Sequence, residues 1–182
     1  MNEQKISRLS QENWHEQVSL VPQVNQLFFG TIRENLLIGN QQATDDELWT
    51  ALTLAQAADF VLAQGGLDSA VEKNGGNFSG GQKQRLCLAR AFVKQASIYL
   101  FDDSFSALDF KTDATIQKNM NAHLKQAIKI IVAQRITTVK NATKILVLNE
   151  GRMVGLGTHE ELTETNSVYR EIILSQEDKE AA

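Results

Sequence analysis

Three unbroken apolar runs constrain this chain more than any other feature: Ile98-Tyr99-Leu100-Phe101, Ile130-Ile131-Val132-Ala133 and Ile145-Leu146-Val147-Leu148. A strand with one wet face alternates apolar and polar residues, whereas a parallel strand covered on both faces is apolar throughout. Val18–Val21 is a further short strand candidate, closed by Pro22, the only proline. Strand candidates alternate with helical stretches and glycine turns, so the expected class is α/β. After the third run, Asn149-Glu150-Gly151-Arg152 reads as a hairpin turn leading into Met153-Val154.

Capping residues mark where helices begin. Thr44-Asp45-Asp46-Glu47 is a capping box, followed by Leu48, Leu52 and Ala55 on one face. Thr158-His159-Glu160-Glu161 is another, and Ile116, Met120 and Leu124 form the stripe of an amphipathic helix. No repeat or linker-like run interrupts the pattern, so one domain is expected over residues 1–182, with a polar tail from Gln176 that should fray. Hydrophobic residues make up 42% and charged residues 22%, a globular balance. A net charge of -4 argues against non-specific nucleic-acid binding. No apolar run approaches the ~18 residues of a membrane span, and MNEQKISRLSQENW contains no signal-peptide core. The single cysteine, Cys87, sits in Leu86-Cys87-Leu88-Ala89 and reads as a buried structural thiol.

Two stretches carry chemistry. Phe78-Ser79-Gly80-Gly81-Gln82-Lys83-Gln84-Arg85 opens a helix, with Ser79 as N-cap and Gln82 placed to return the bond. The paired glycines remove side chains where free amides and the positive end of the helix dipole could meet an anion. Ser-Gly-Gly alone is equally the start of an ordinary helix, and the longer string is what makes the pattern specific. The second stretch is Asp102-Asp103 at the end of the run Ile98–Phe101, followed by Ser104-Phe105-Ser106-Ala107-Leu108-Asp109. Ligands of open parallel sheets bind beyond the C-terminal strand ends, where paired carboxylates suit Mg²⁺, although adjacent aspartates there are otherwise a solvated turn.

These strings resemble the ATPase domains of ABC transporters: FSGGQKQR is similar to the signature motif, and the Asp102–Asp109 segment to Walker B and the D-loop. The resemblance covers about Ile6 to Leu174 and implies a P-loop NTPase fold of the ABC ATPase type with a helical signature subdomain. It implies a Q-loop, helical subdomain and signature helix at about 24–94, and Walker B, D-loop, switch and C-terminal part at about 95–174. The polar tail would then be 175–182. By the same resemblance Asp102 and Gln23 would serve Mg²⁺, Gln23 would sit in the Q-loop, and Ser79, Gly80, Gly81, Gln82 and Asp109 would serve ATP and the opposite subunit. Asp103 stands at the general-base position and Gln134 at the switch position. Leu27-Phe28-Phe29-Gly30-Thr31-Ile32-Arg33-Glu34-Asn35 is similar to the exporter branch, near whose membrane domains it lies. Val71-Glu72-Lys73 replaces that branch's Val-Gly-Glu.

Departures from the family pattern carry their own expectations. No Gly-Lys dipeptide occurs, so the phosphate-cradling G-x-x-x-x-G-K-[ST] loop is missing and the chain reads as truncated at the N-terminus and inactive alone. Aspartate replaces the family's glutamate at 103, withdrawing the carboxylate by roughly 1.5 Å, a displacement of the size that can cost two orders of magnitude in rate. Gln134 replaces a histidine and cannot become a cation near neutral pH. Both changes together resemble the degenerate subunit of a heterodimeric exporter of drugs or lipophilic compounds. That implies a second ABC ATPase domain and transmembrane domains as partners, no nucleic acid, and a place at the cytoplasmic membrane face. The alternatives are a soluble ABC protein, against which the exporter-like stretch and acidic charge count, and a non-catalytic interaction module.

Overall fold

The structure, a computed structural model, describes residues 10–180. By contact density the described residues form two compact units, one ending at Val132 and one beginning at Ala133. Ile6, where the family resemblance begins, lies outside the described residues.

The first unit is organised on a three-stranded parallel sheet. It contains β1 (Val18–Val21), β4 (Ile98–Asp102) and β5 (Ile128–Val132), in the order β1-β4-β5. A short β2 (Gly30–Thr31) pairs antiparallel with β3 (Ala70–Val71). The helices are α1 (Gln11–Gln17), α2 (Ile32–Leu37), α3 (Asp45–Leu54), α4 (Ala58–Ala63), α5 (Gly80–Val93) and α6 (Phe110–His123). The helix starting at Thr44 forms with its full capping box, and Leu48, Leu52 and Ala55 are all buried. Ile116 and Met120 are buried along α6 as their spacing predicts.

The core lies on one face of the sheet. Tyr99 and Phe101 point there and meet Phe92 of α5 at ring-centroid distances of 6.3 and 6.4 Å, while Phe105 closes on Phe101 at 5.5 Å. Leu86, Cys87, Leu88, Ala89, Ala91 and Val93 of α5 are buried as well, so this helix is enclosed on nearly every side. Its C-terminal end is fastened to the sheet: Ser19 Oγ donates to the Ala91 carbonyl at 3.1 Å, and Lys94 Nζ to the Val18 carbonyl at 2.8 Å. Cys87 is a buried thiol whose pKa burial pushes up.

The opposite face differs from the expectation of strands covered on both sides. Leu20, Ile128, Ile130 and Val132 are 58, 60, 51 and 58% exposed. The runs are apolar as read, but nothing among the described residues covers their second face. β5 also begins earlier than expected, at Ile128, and ends before Ala133. Lys129, which breaks the apolar run, points to the helix side and reaches back to the Leu124 carbonyl at 3.4 Å.

The second unit holds α7 (Ile136–Val139), a hairpin of β6 (Ile145–Asn149) and β7 (Arg152–Gly157), α8 (His159–Thr165) and α9 (Ser167–Glu180). The hairpin turn falls where the sequence places it, with Glu150 and Gly151 both at positive φ. The third apolar run is thus an antiparallel hairpin strand, with Ile145 and Val147 buried and Leu146 and Leu148 exposed. The Thr158 capping box forms. The polar tail from Gln176 begins within α9, which runs to Glu180, and it contains no glycine or proline. Ala181 and Ala182, the last of that expected tail, lie outside the described residues.

Candidate functional site

The start of α5 follows the sequence prediction. Ser79 is the N-cap: its Oγ accepts from the Gln82 amide at 3.3 Å, and Gln82 Oε1 accepts from the Ser79 amide at 2.9 Å. This reciprocal pair leaves the first-turn amides of Gly80 and Gly81, which an α-helix cannot satisfy internally. The two glycines differ in surroundings. A Cβ on Gly80 would meet nothing within 4 Å, so the backbone is open to an anion there. A Cβ on Gly81 would stand 3.3 Å from the Ala107 carbonyl oxygen, so this glycine permits packing rather than ligand approach.

Arg85, one turn further, holds this helix start in place. Its Nη1 donates to the Gln56 carbonyl at 2.8 Å, and the guanidinium lies 4.8 Å above the Phe60 ring. Phe60 in turn meets Phe78, the residue preceding the cap, edge to face at 6.3 Å. Burial lowers the Arg85 pKa, opposed by the charges of Asp109 and Asp59.

Gln23, Asp102 and Asp103 gather at the C-terminal ends of β1 and β4, neighbouring parallel strands paired Val21 to Phe101. Asp102 and Gln23 are exposed and Asp103 is half-buried. The loop after β4 is strapped to both neighbouring strands. Ser104 Oγ, fully buried, donates to the Val21 carbonyl at 2.9 Å, and the Asp103 amide donates to the Val132 carbonyl at 2.9 Å. Asp103 itself adopts a left-handed φ of 48°. Among the described residues no group of three or more His, Cys, Asp or Glu side chains could hold a metal. Asp102 and Gln23 each carry a side-chain oxygen of the hard type that Mg²⁺ takes.

Asp109 is the N-cap of α6, a role its motif did not announce. Its carboxylate accepts from the Thr112 amide at 2.9 Å and the Thr112 hydroxyl at 2.7 Å, and these bonds hold its pKa below the usual range. The Ser106–Asp109 loop lies beside the start of α5, because Gln84 Oε1 accepts from the Ala107 amide at 3.1 Å. Sequence reasoning used Gln84 only as part of a recognisable string; its position on the Gly81 face of α5 was the available clue.

Gln134 belongs to the second unit, exposed, two residues after β5 ends. Its carbonyl accepts from Gln176 Nε2 at 2.6 Å, while Gln176 Oε1 accepts from the Ile136 amide at 2.9 Å. Gln176, read from sequence as tail, thus fastens the segment carrying Gln134.

The exporter-like stretch is a presented loop. Asn35, buried, accepts from the Phe28 amide and donates to the Phe28 and Thr31 carbonyls at 2.8, 2.8 and 2.9 Å. Thr31 and Glu34 add a capping box. Between these ties Phe29 is 83% exposed, and Val24 and Phe28 are exposed beside it. Val71, in β3, is buried, and Glu72 is exposed with its amide bonded to Asn77 Oδ1 at 3.1 Å.

The family model described as ABC transporter matches residues 1–106. An uncharacterised ABC transporter ATP-binding protein of Mycobacterium bovis is 43% identical over 162 residues, 87% of this chain and 28% of that protein. A multidrug resistance ABC transporter ATP-binding and permease protein of Lactococcus lactis is 36% identical, over 95% of this chain and 30% of its own length. The solved structure of a bacterial Atm1-family ABC exporter with ATP bound superposes with a TM-score of 0.91 at 34% identity, covering 95% of this chain and 30% of that one. The chain therefore spans under a third of the length of each of these relatives. Among the described residues no helix is long and apolar enough to cross a membrane. With the signature helix, the carboxylates beyond β4 and these likenesses together, the chain belongs to the ABC transporter family, as part of its ATP-binding domain.

Proposed function

We propose that this chain serves the ATP-binding domain of an exporter, completing an ATP site on a second ATPase domain while facing a weaker site of its own. The observation that carries this reading is the open backbone at Gly80 behind an intact Ser79–Gln82 capping box. There the first-turn amides and the helix dipole would bind the phosphates of an ATP held mainly by the partner. Asp109, exposed beside that helix, would face the same partner.

On the chain's own side, Asp102 and Gln23 would hold Mg²⁺, which when bound neutralises charge on the phosphate oxygens. Asp103 would orient water from a carboxylate one methylene short of the family's glutamate, and Gln134 would hydrogen-bond a phosphate without supplying positive charge. Hydrolysis at this site would be slow. The 182 residues contain no Gly-Lys dipeptide, so the lysine-bearing phosphate loop would have to come from other sequence, and this chain alone would not hydrolyse ATP. The exposed Val24, Phe28 and Phe29, held by Asn35, would meet the transmembrane domains at the cytoplasmic membrane face. A drug-like cargo is the reading supported by the name of the Lactococcus lactis multidrug resistance relative.

Complementation tests the asymmetry. An ABC ATPase domain with its own phosphate loop but an inactivated signature is mixed with this chain, and phosphate release is measured. The parent chain should restore turnover. Ser79→Arg, which opposes the dipole and fills the anion approach, should lower it at least about a hundredfold, and Asp103→Ala only about twofold. Equal damage from the two variants would overturn the asymmetric reading.

A further inference from the structure

Gln84 is the fully buried polar side chain of the signature run, and the helix cap does not use it. It is 1% exposed, and its Oε1 accepts from the Ala107 amide at 3.1 Å. Three residues earlier, on the same face of α5, Gly81 approaches the other side of the same residue, its absent Cβ leaving 3.3 Å to the Ala107 carbonyl oxygen. One residue of the loop is therefore bonded to α5 through its amide and approached closely by the same helix at its carbonyl. The rest of that loop is held from other directions: Ser104 by β1, Ser106 Oγ donating to the Asp103 carbonyl at 3.0 Å, and Asp109 by Thr112. Ala107 is where it meets the helix that begins at Ser79.

We propose that Gln84 is a positioning residue that ties the Ser106–Asp109 loop to α5, so that Asp109 and Ser79 shift as one piece. A glutamine side chain is suited to this because its carbonyl is an acceptor that stays uncharged at any pH, so the tie does not open on titration. A buried leucine could fill the same volume but would leave the Ala107 amide without its acceptor. The consequence for a dimer rests on the reading of Ser79 and Asp109 as partner-facing, whereas the tie itself is open to test without nucleotide or partner.

The test is amide hydrogen exchange on the full 182-residue chain, with paired spin labels at Lys83 and Phe110. In Gln84→Leu the Ala107 amide should exchange roughly tenfold faster, the loss of about one hydrogen bond, while Tyr99 and Phe101 in β4 change less than about twofold. Gln84→Glu keeps an acceptor oxygen in place and, at a pH low enough to leave the buried carboxyl neutral, should return Ala107 close to the parent rate. The label-to-label distance should be narrow in the parent and in Gln84→Glu, and broad in Gln84→Leu. Should Gln84→Leu unfold, Gly81→Ala carries the test, because its methyl group presses on the Ala107 carbonyl and should speed exchange at that amide alone. An unchanged Ala107 rate, a rise shared by β4, or an unchanged distance distribution would each overturn the proposal. Failure of the complementation experiment with normal Ala107 behaviour would instead count against the partner-facing reading.

Discussion

Asp103 turns the chain through a left-handed conformation directly after β4, with its amide bonded to Val132 and its carbonyl to Ser106. That conformation costs an ordinary L-residue roughly 1–2 kcal/mol, and aspartate and asparagine bear it best because their short polar side chains bond locally. Asp103→Asn should therefore leave stability within about 0.5 kcal/mol of the parent, whereas the β-branched Asp103→Val should lose about 1–2 kcal/mol. Denaturant unfolding of both variants checks this, and equal stabilities would show that the turn carries no strain. The pair Asp102-Asp103 was legible in the sequence because it ends an apolar run. The left-handed turn was not, because aspartate is ordinary in either conformation and no glycine stands there to mark it.

At the scale of elements, capping chemistry was the most readable layer. Thr44 with Glu47, Ser79 with Gln82 and Thr158 with Glu161 all close as their spacing predicts, because the bond is made within four residues. Cover on the second face of a strand depends on distant chain, which is why the apolar runs disclosed β1, β4 and β5 but not the open face. Local caps also set an acid limit. The Glu47 carboxylate, bonded first by the Thr44 amide, and that of Asp109, bonded first by the Thr112 amide, lie below their ordinary pKa values, as does Asp68 under the Arg33 guanidinium. A depressed carboxylate contributes stability that is complete above its unfolded pKa, about 4, and fades as pH falls through the folded value. Thermal melts should accordingly be level from about pH 7 to 5 and fall below about pH 4. Asp109→Asn, a neutral cap, should remove part of that fall; an identical acid limb would mean that this cap carries no charge-dependent stability.

For the whole molecule, the open sheet face sets the solution behaviour. Leu20 of β1 and Ile128, Ile130 and Val132 of β5 place apolar surface in water, which favours association. A dye sensitive to apolar surface should bind the native chain. Ile130→Lys should weaken that signal severalfold with a melting temperature unchanged within about 2 °C, since Ile130 is half exposed already and helps little to close the core. Undiminished dye binding would place the adhesive surface elsewhere. The long buried α5 has a mechanical side as well. It is anchored to β1 through Ala91 and Lys94 at one end and carries Ser79 at the other, so its 14 residues form a lever about 21 Å long. A tilt of about 5° at the anchored end would sweep Ser79 through about 2 Å, enough to make or break a hydrogen bond. Small displacements of the sheet could thus gate an anion at the far tip, and the hold on Ala107 would make the neighbouring loop travel with it.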